Sequence, residues 1–173
     1  MGSVVIAKFG GSTIGVDGIS IPVIIQRISS ISKNAKVIAV FSAPLTVVEG
    51  KHTSLTDVVL ELGNRAKEGR TSDLIILKKT YEKILELVSS EFQDECKKII
   101  DDCLDKVRIE LEKAMEKKEF SDEIRSKTLA YSGEILMSYV MEYILQSQGI
   151  GSKAVKLENW PIITDNNIEY TNF

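Results

Sequence analysis

A lysine at the end of an apolar run, followed closely by two glycines and a serine, is the first place where residue types and spacing could do chemistry. Lys8 follows Val4-Val5-Ile6-Ala7 and precedes Phe9-Gly10-Gly11-Ser12. A short apolar run bounded by a glycine pair reads as a strand buried on both faces. In open α/β sheets, ligands gather at the carboxyl ends of the strands. Paired glycines let backbone N–H groups come close to an anion. An ammonium beside them suits a phosphate that gains negative charge during transfer. A strand-end lysine reaching solvent over an ordinary turn fits the same spacing. The Walker pattern Gly-x4-Gly-Lys-Ser/Thr is absent, so the chain is not a P-loop NTPase by motif.

Further polar residues stand at element boundaries. Ser42 follows the apolar run Val37-Ile38-Ala39-Val40-Phe41 and precedes Ala43. Thr53, Ser54 and Thr56 sit where a helix begins, and each could hold a ligand or serve as an N-cap. Ser132-Gly133-Glu134 lies within a long apolar segment. A Glu in a largely buried helix is costly unless paired, and an exposed Glu on the one polar face is the plainer alternative. His52 has no neighbouring Cys or second His, so it reads as a loop residue rather than a metal ligand. Trp160-Pro161 reads as a packing anchor.

Lys8-Phe9-Gly10-Gly11-Ser12 is similar to the Lys-Phe-Gly-Gly-Thr/Ser signature of the aspartate kinases, in the amino-acid kinase superfamily. Phe41-Ser42-Ala43 resembles the family's Val-Ser-Ala. Ser132-Gly133-Glu134-Ile135-Leu136-Met137-Ser138 looks like its Ser/His-Gly-Glu-x-x-Ser segment. Thr164-Asp165-Asn166 is a weaker match, because the family's upstream Asp-x-Arg corresponds here to Leu157 and Asn159. Ser12-Thr13 replaces the usual Thr-Ser. The resemblance implies phosphoryl transfer from MgATP to the side-chain carboxylate of L-aspartate, giving 4-phospho-L-aspartate, the first step of the aspartate-family amino-acid pathway. It implies Lys8 as the catalytic residue and Lys8, Gly10, Gly11 and Ser12 as the phosphate site. Ser42, Thr56 and Glu134 would form the substrate site, with Thr53 and Ser54 as rivals for Thr56. It also implies that residues 1–173 are the N-terminal portion of the kinase domain. The family's nucleotide-binding half and its regulatory ACT modules have no counterpart here, so the chain alone is expected to be inactive. A naturally short, non-catalytic assembly subunit and a related acyl-phosphate-forming kinase are the alternatives.

These residues need elements to position them. Residues 18–33 carry Ile21, Ile24, Ile25, Ile28 and Ile31 at helical spacing, between the runs near 3–8 and 36–42. Strand, glycine loop, helix, strand predicts a right-handed βαβ unit in a parallel sheet. A third parallel strand is expected at 153–157, a loop at 43–53 and a helix at 54–67. Residues 73–118 show helical stripes, one from Leu74 to Val88 and one from Phe92 through Cys96 and Cys103 to Ala114, and read as a helical pair beside the sheet (subregion about 71–119). Residues 122–148 read as one central buried helix. The expected fold is a three-layer α/β/α arrangement of the amino-acid kinase kind.

Composition limits the rest. Of the 173 residues, 43% are hydrophobic and 27% charged, an ordinary globular balance. A net charge of −3 with a pI near 5.4 gives no basic footprint for nucleic acid. No apolar run approaches the roughly 18 residues that suggest a membrane span. No basic and apolar leader opens the chain, and the two cysteines read as buried free thiols in a reducing cytoplasm. An unpaired edge of an incomplete sheet is expected to favour homo-oligomers.

Overall fold

The computed structural model describes residues 3–71 and 73–155. Strand β1 (Ser3–Phe9) and strand β2 (Ala35–Phe41) pair in parallel, with Ser3 opposite Ala35 and Phe9 opposite Phe41. Between them run a one-turn helix α1 (Gly11–Ile14) and helix α2 (Ile21–Ser32). Pro22 stands in the first turn of α2, where its missing N–H costs little. The expected strand–glycine turn–helix–strand unit is therefore present. The phenyl rings of Phe9 and Phe41 stack 5.4 Å apart at the carboxyl ends of the two strands.

The strands are not buried on both faces, as the apolar runs predict. Ala7, Val37 and Ala39 turn toward α2 and the helical core. Val4, Ile6, Ile38 and Val40 alternate to the other face and are 45–71% exposed. No described element covers that face, so the described part has helices on one side of the sheet only. The expected third strand also departs from the sequence reading. Lys153–Val155 form no strand, and Lys156 and Leu157 lie outside the described residues. The polar groups of this segment go to a helix instead: the Ala154 N–H donates to Glu142 Oε2 at 2.8 Å, and Ser152 Oγ to the Glu142 carbonyl at 3.0 Å.

The expected loop at 43–53 is mostly a hairpin. Strands β3 (Leu45–Val48) and β4 (Lys51–Ser54) pair antiparallel, with Val48 opposite Lys51. Glu49 and Gly50 make the two-residue turn with φ of 50° and 78°, as a type I′ connection requires. His52 is therefore an exposed strand residue opposite Val47. Leu45 stitches the hairpin to the turn after α1: its N–H donates to Gly15 O, and its carbonyl accepts from Asp17 N.

Five helices complete the described chain: α3 (Leu55–Lys67), α4 (Ile75–Leu85), α5 (Ser90–Lys117), α6 (Asp122–Ser132) and α7 (Glu134–Ser147). The helical pair predicted over 73–118 is α4 and α5. The single helix predicted over 122–148 is two, broken at Gly133. The central pole is α5, which packs against α3, α4, α6 and α7. Helix α7 is the most deeply buried, with Leu136, Met137, Val140, Met141 and Ile144 fully enclosed. Gly63 of α3 is close to Phe120, whose ring lies 2.2 Å from where a Cβ would sit.

Cys96 and Cys103 are both buried free thiols on the inner face of α5, as expected. Burial pushes the Cys96 thiol from an ordinary 9.0 up to about 12. It pushes the Cys103 thiol up to about 11, with Asp102 adding to the rise and Lys106 opposing it. The folded chain therefore keeps protons that the unfolded chain releases above its ordinary thiol value. This contribution to stability is whole below pH 9 and declines as pH climbs toward the folded values. The denaturant midpoint should fall progressively from about pH 8.5 to about pH 11. Thiol reagents should label neither cysteine at neutral pH until the chain unfolds. A second prediction concerns the hairpin turn. Replacing Glu49 by Asn, which tolerates positive φ better, should raise stability by roughly 0.5–2 kcal/mol in urea unfolding.

Candidate functional site

The candidate residues lie on four chain segments, and one alanine brings three of them into contact. A Cβ on Gly11 would lie 2.5 Å from the carbonyl oxygen of Ala43. A Cβ on Gly133 would lie 3.0 Å from the Ala43 Cβ and 3.2 Å from the Leu129 carbonyl oxygen. Only residues without side chains let the turn after β1, the exit from β2 and the α6–α7 break meet there. A fourth segment joins through the backbone, since the Leu55 N–H at the start of α3 donates to Pro44 O at 3.1 Å.

The two glycines of the first motif differ in what demands them. Gly11 is required by packing. Gly10 is not: no described atom lies within 4 Å of a Cβ built there, and its φ of −73° suits any residue. The space over Gly10 is open. The Gly10 carbonyl accepts from the N–H groups of Thr13 and Ile14, while the N–H groups of Gly11 and Ser12 belong to the first turn, where a helix supplies no partner. Ser12 is exposed. Lys8 is exposed on the bare face of the sheet, level with Val40 on β2. Ser42 is half-buried, and its N–H donates to Phe9 O at 3.0 Å, which ties the ends of β1 and β2 together.

Glu134 corrects the sequence reading. It is an exposed residue at the N-terminus of α7, not a costly Glu inside a buried helix. A carboxylate there is favoured by the helix dipole. Gly133 is buried, with φ of −120° and ψ of −100°, and ends α6 where α7 begins. The break leaves the Ser132 carbonyl to a side chain: it accepts from Tyr81 Oη at 2.8 Å, while Gly133 O takes the regular helical N–H of Met137 at 2.8 Å. The Tyr81 ring is fully buried; burial first, then Cys103 and Glu134, raise its hydroxyl well above the ordinary range. Ser138, the last residue of the third motif, spends its hydroxyl on the Glu134 carbonyl at 2.8 Å.

The three hydroxyls near α3 also separate. Ser54 is the N-cap: its Oγ accepts from the Asp57 N–H at 3.0 Å and donates to Asp57 Oδ2 at 2.7 Å. Thr53 leans on the Lys51 carbonyl at 3.4 Å. Thr56 is half-buried, and its side chain makes no hydrogen bond to another described residue, which leaves it the freest of the three for a ligand. Thr164, Asp165, Asn166, Trp160 and Pro161 lie outside the described residues.

Sequence reasoning missed two residues. Ala43 was visible only as part of a motif, although its small size sets the contact between segments. Tyr81 was counted as part of a core stripe; its hydroxyl is what distinguishes it, and nothing in the sequence points to a carbonyl at residue 132. No helix of the described residues is long and apolar enough to cross a membrane. Among them, no three His, Cys, Asp or Glu side chains are grouped to hold a metal ion. No family model matches the chain, and no curated protein matches it.

The glycine geometry predicts a split. Gly11→Ala pushes a side chain into a backbone oxygen and should cost roughly 1–3 kcal/mol of stability. Gly10→Ala meets open space and should change stability by less than about 0.5 kcal/mol. Equilibrium urea unfolding of the two variants checks both values.

Proposed function

We propose that this chain is the substrate-binding and phosphate-binding part of an aspartate kinase, in a three-layer amino-acid kinase fold. The reaction is transfer of the γ-phosphoryl group of MgATP to the side-chain carboxylate of L-aspartate, giving 4-phospho-L-aspartate. The observation that carries the reading is the meeting of three motif segments, far apart in sequence, at Ala43. Two of them are the ends of paired strands and meet in any such unit; the arrival of the Gly133 break beside them is the part that supports the resemblance.

In this reading the open space over Gly10 receives phosphate oxygens, and the N–H groups of Gly11 and Ser12 donate to them. The Lys8 ammonium stabilises the transferring group, whose charge grows toward the transition state. Glu134 receives the substrate ammonium, and Thr56 and Ser42 donate to its polar groups. Both substrates arrive with their own charges, and Mg²⁺ travels with the nucleotide. The protein positions and neutralises; no covalent intermediate is needed.

The reading separates two kinds of variant. Glu134→Gln removes an ion pair and should weaken L-aspartate binding about tenfold or more. Lys8→Ala should leave L-aspartate binding nearly unchanged and weaken binding of ATP phosphates. Titration calorimetry of the chain with L-aspartate, with succinate as a control lacking the ammonium, provides the test. Absence of L-aspartate binding, or equal binding of succinate and L-aspartate, overturns the assignment of Glu134.

A further inference from the structure

The glycine turn and the α6–α7 break do more than touch at Ala43. The turn that follows α1 and the α6–α7 break are each held by a hydrogen-bonding group on α4, and the two groups are adjacent residues, Thr80 and Tyr81. Neither belongs to the motifs that define the candidate site.

On one side, Thr80 is 1% exposed. Its hydroxyl lies 2.9 Å from Thr46 Oγ1 and 3.3 Å from Asp17 Oδ1. Thr46, also buried, donates to the same Asp17 oxygen at 3.2 Å. Lys83, one turn along α4, pairs with the other Asp17 oxygen. Asp17 stands at φ of 52°, a left-handed conformation, and its N–H donates to Leu45 O at 2.7 Å. Backbone and side chain thus hold the turn after α1, one helical turn beyond Gly10–Ser12, from two directions. Gly18, next in sequence, packs so closely on α4 that a Cβ there would lie 2.8 Å from Ile84 Cγ1. On the other side, Tyr81 Oη donates to Ser132 O at 2.8 Å and lies 3.4 Å from Gly133 O, at the break that presents Glu134. Successive helical residues point about 100° apart around the axis, so one rigid turn can serve two partners.

We infer that α4 is a positioning strut that fixes the turn after α1 through Thr80–Asp17, and with it the one-turn helix that carries Gly11 and Ser12, and fixes the start of α7 through Tyr81. Thr80, Asp17 and Tyr81 are positioning residues for the proposed reaction, acting through Gly10–Ser12 and Glu134. Such a strut sets the spacing between a bound phosphate and a bound amino acid. In-line transfer depends on that spacing, where misplacement by about 1 Å costs roughly a hundredfold in rate.

The inference rests on the proposed function for its chemical meaning, and its structural content is tested without a ligand. Backbone amide exchange is compared in the wild type, Tyr81→Phe, Thr80→Val and Thr80→Ser. Tyr81→Phe should speed exchange in 132–137 and leave 10–18 unchanged. Thr80→Val should speed exchange in 10–18 and leave 132–137 unchanged, and Thr80→Ser, which keeps the hydroxyl, should restore the wild-type pattern. Ligand binding supplies a second readout. Tyr81→Phe should weaken L-aspartate binding about three- to tenfold, the scale of one hydrogen bond, with ATP binding unchanged; Thr80→Val should do the reverse. Uniform acceleration across the whole chain, or changes confined to α4, overturns the strut. A local exchange pattern as described with no binding of L-aspartate supports the strut and defeats the proposed function.

Discussion

Ala43 occupies the space that side chains on Gly11 and Gly133 would need, and the described architecture is arranged around that contact. The turn after β1 must pass close enough for its backbone to meet the Ala43 carbonyl. The α6–α7 break must carry a glycine where it comes alongside, because a side chain at that position would push Ala43 away. Phe9 and Phe41, stacked just before the turn and the β2 exit, hold the strand ends level. Close packing of this kind tolerates little change in volume. It also leaves the neighbouring Gly10 in open space, so crowding and room stand side by side in one short turn.

How much of this could be read from the sequence depended on whether the signal was local. The βαβ unit was legible, because two apolar runs flank isoleucines at helical spacing. Helices α4 and α5 were legible for the same reason, and so was the burial of both cysteines. The hairpin was missed because Glu-Gly is a weak turn signal beside Asn-Gly or Asp-Gly, although Leu45–Val48 has strand-forming residues. The break at Gly133 was missed because apolar residues continue on both sides of it, and a helix tolerates an isolated glycine. Burial of β1 and β2 was overestimated since an apolar run does not say what covers it.

The site was partly legible. Lys8, Gly10, Gly11, Ser42 and Glu134 were singled out by type and position, and the segments that carry most of them converge. Their environments could not be read. Whether Glu134 is buried or exposed depends on the helix break, and which hydroxyl near α3 is free depends on which one becomes the cap. Ser54 takes that role because Asp57 lies three residues on and returns a bond to it, a reciprocal arrangement close to a capping box.

The wide sequence separation of the segments around Ala43 has a kinetic side. Contacts between neighbours in the chain close short loops and can form early, as in the hairpin and between α5 and α6. The meeting of Gly11, Ala43 and Gly133 closes long loops and must first overcome their entropy. The placing of the open space over Gly10 beside the Gly133 break therefore comes into being only when the helical body and the strand pair have both been assembled and brought together. A nascent chain has no such juxtaposition to offer, so whatever it accommodates meets a finished protein.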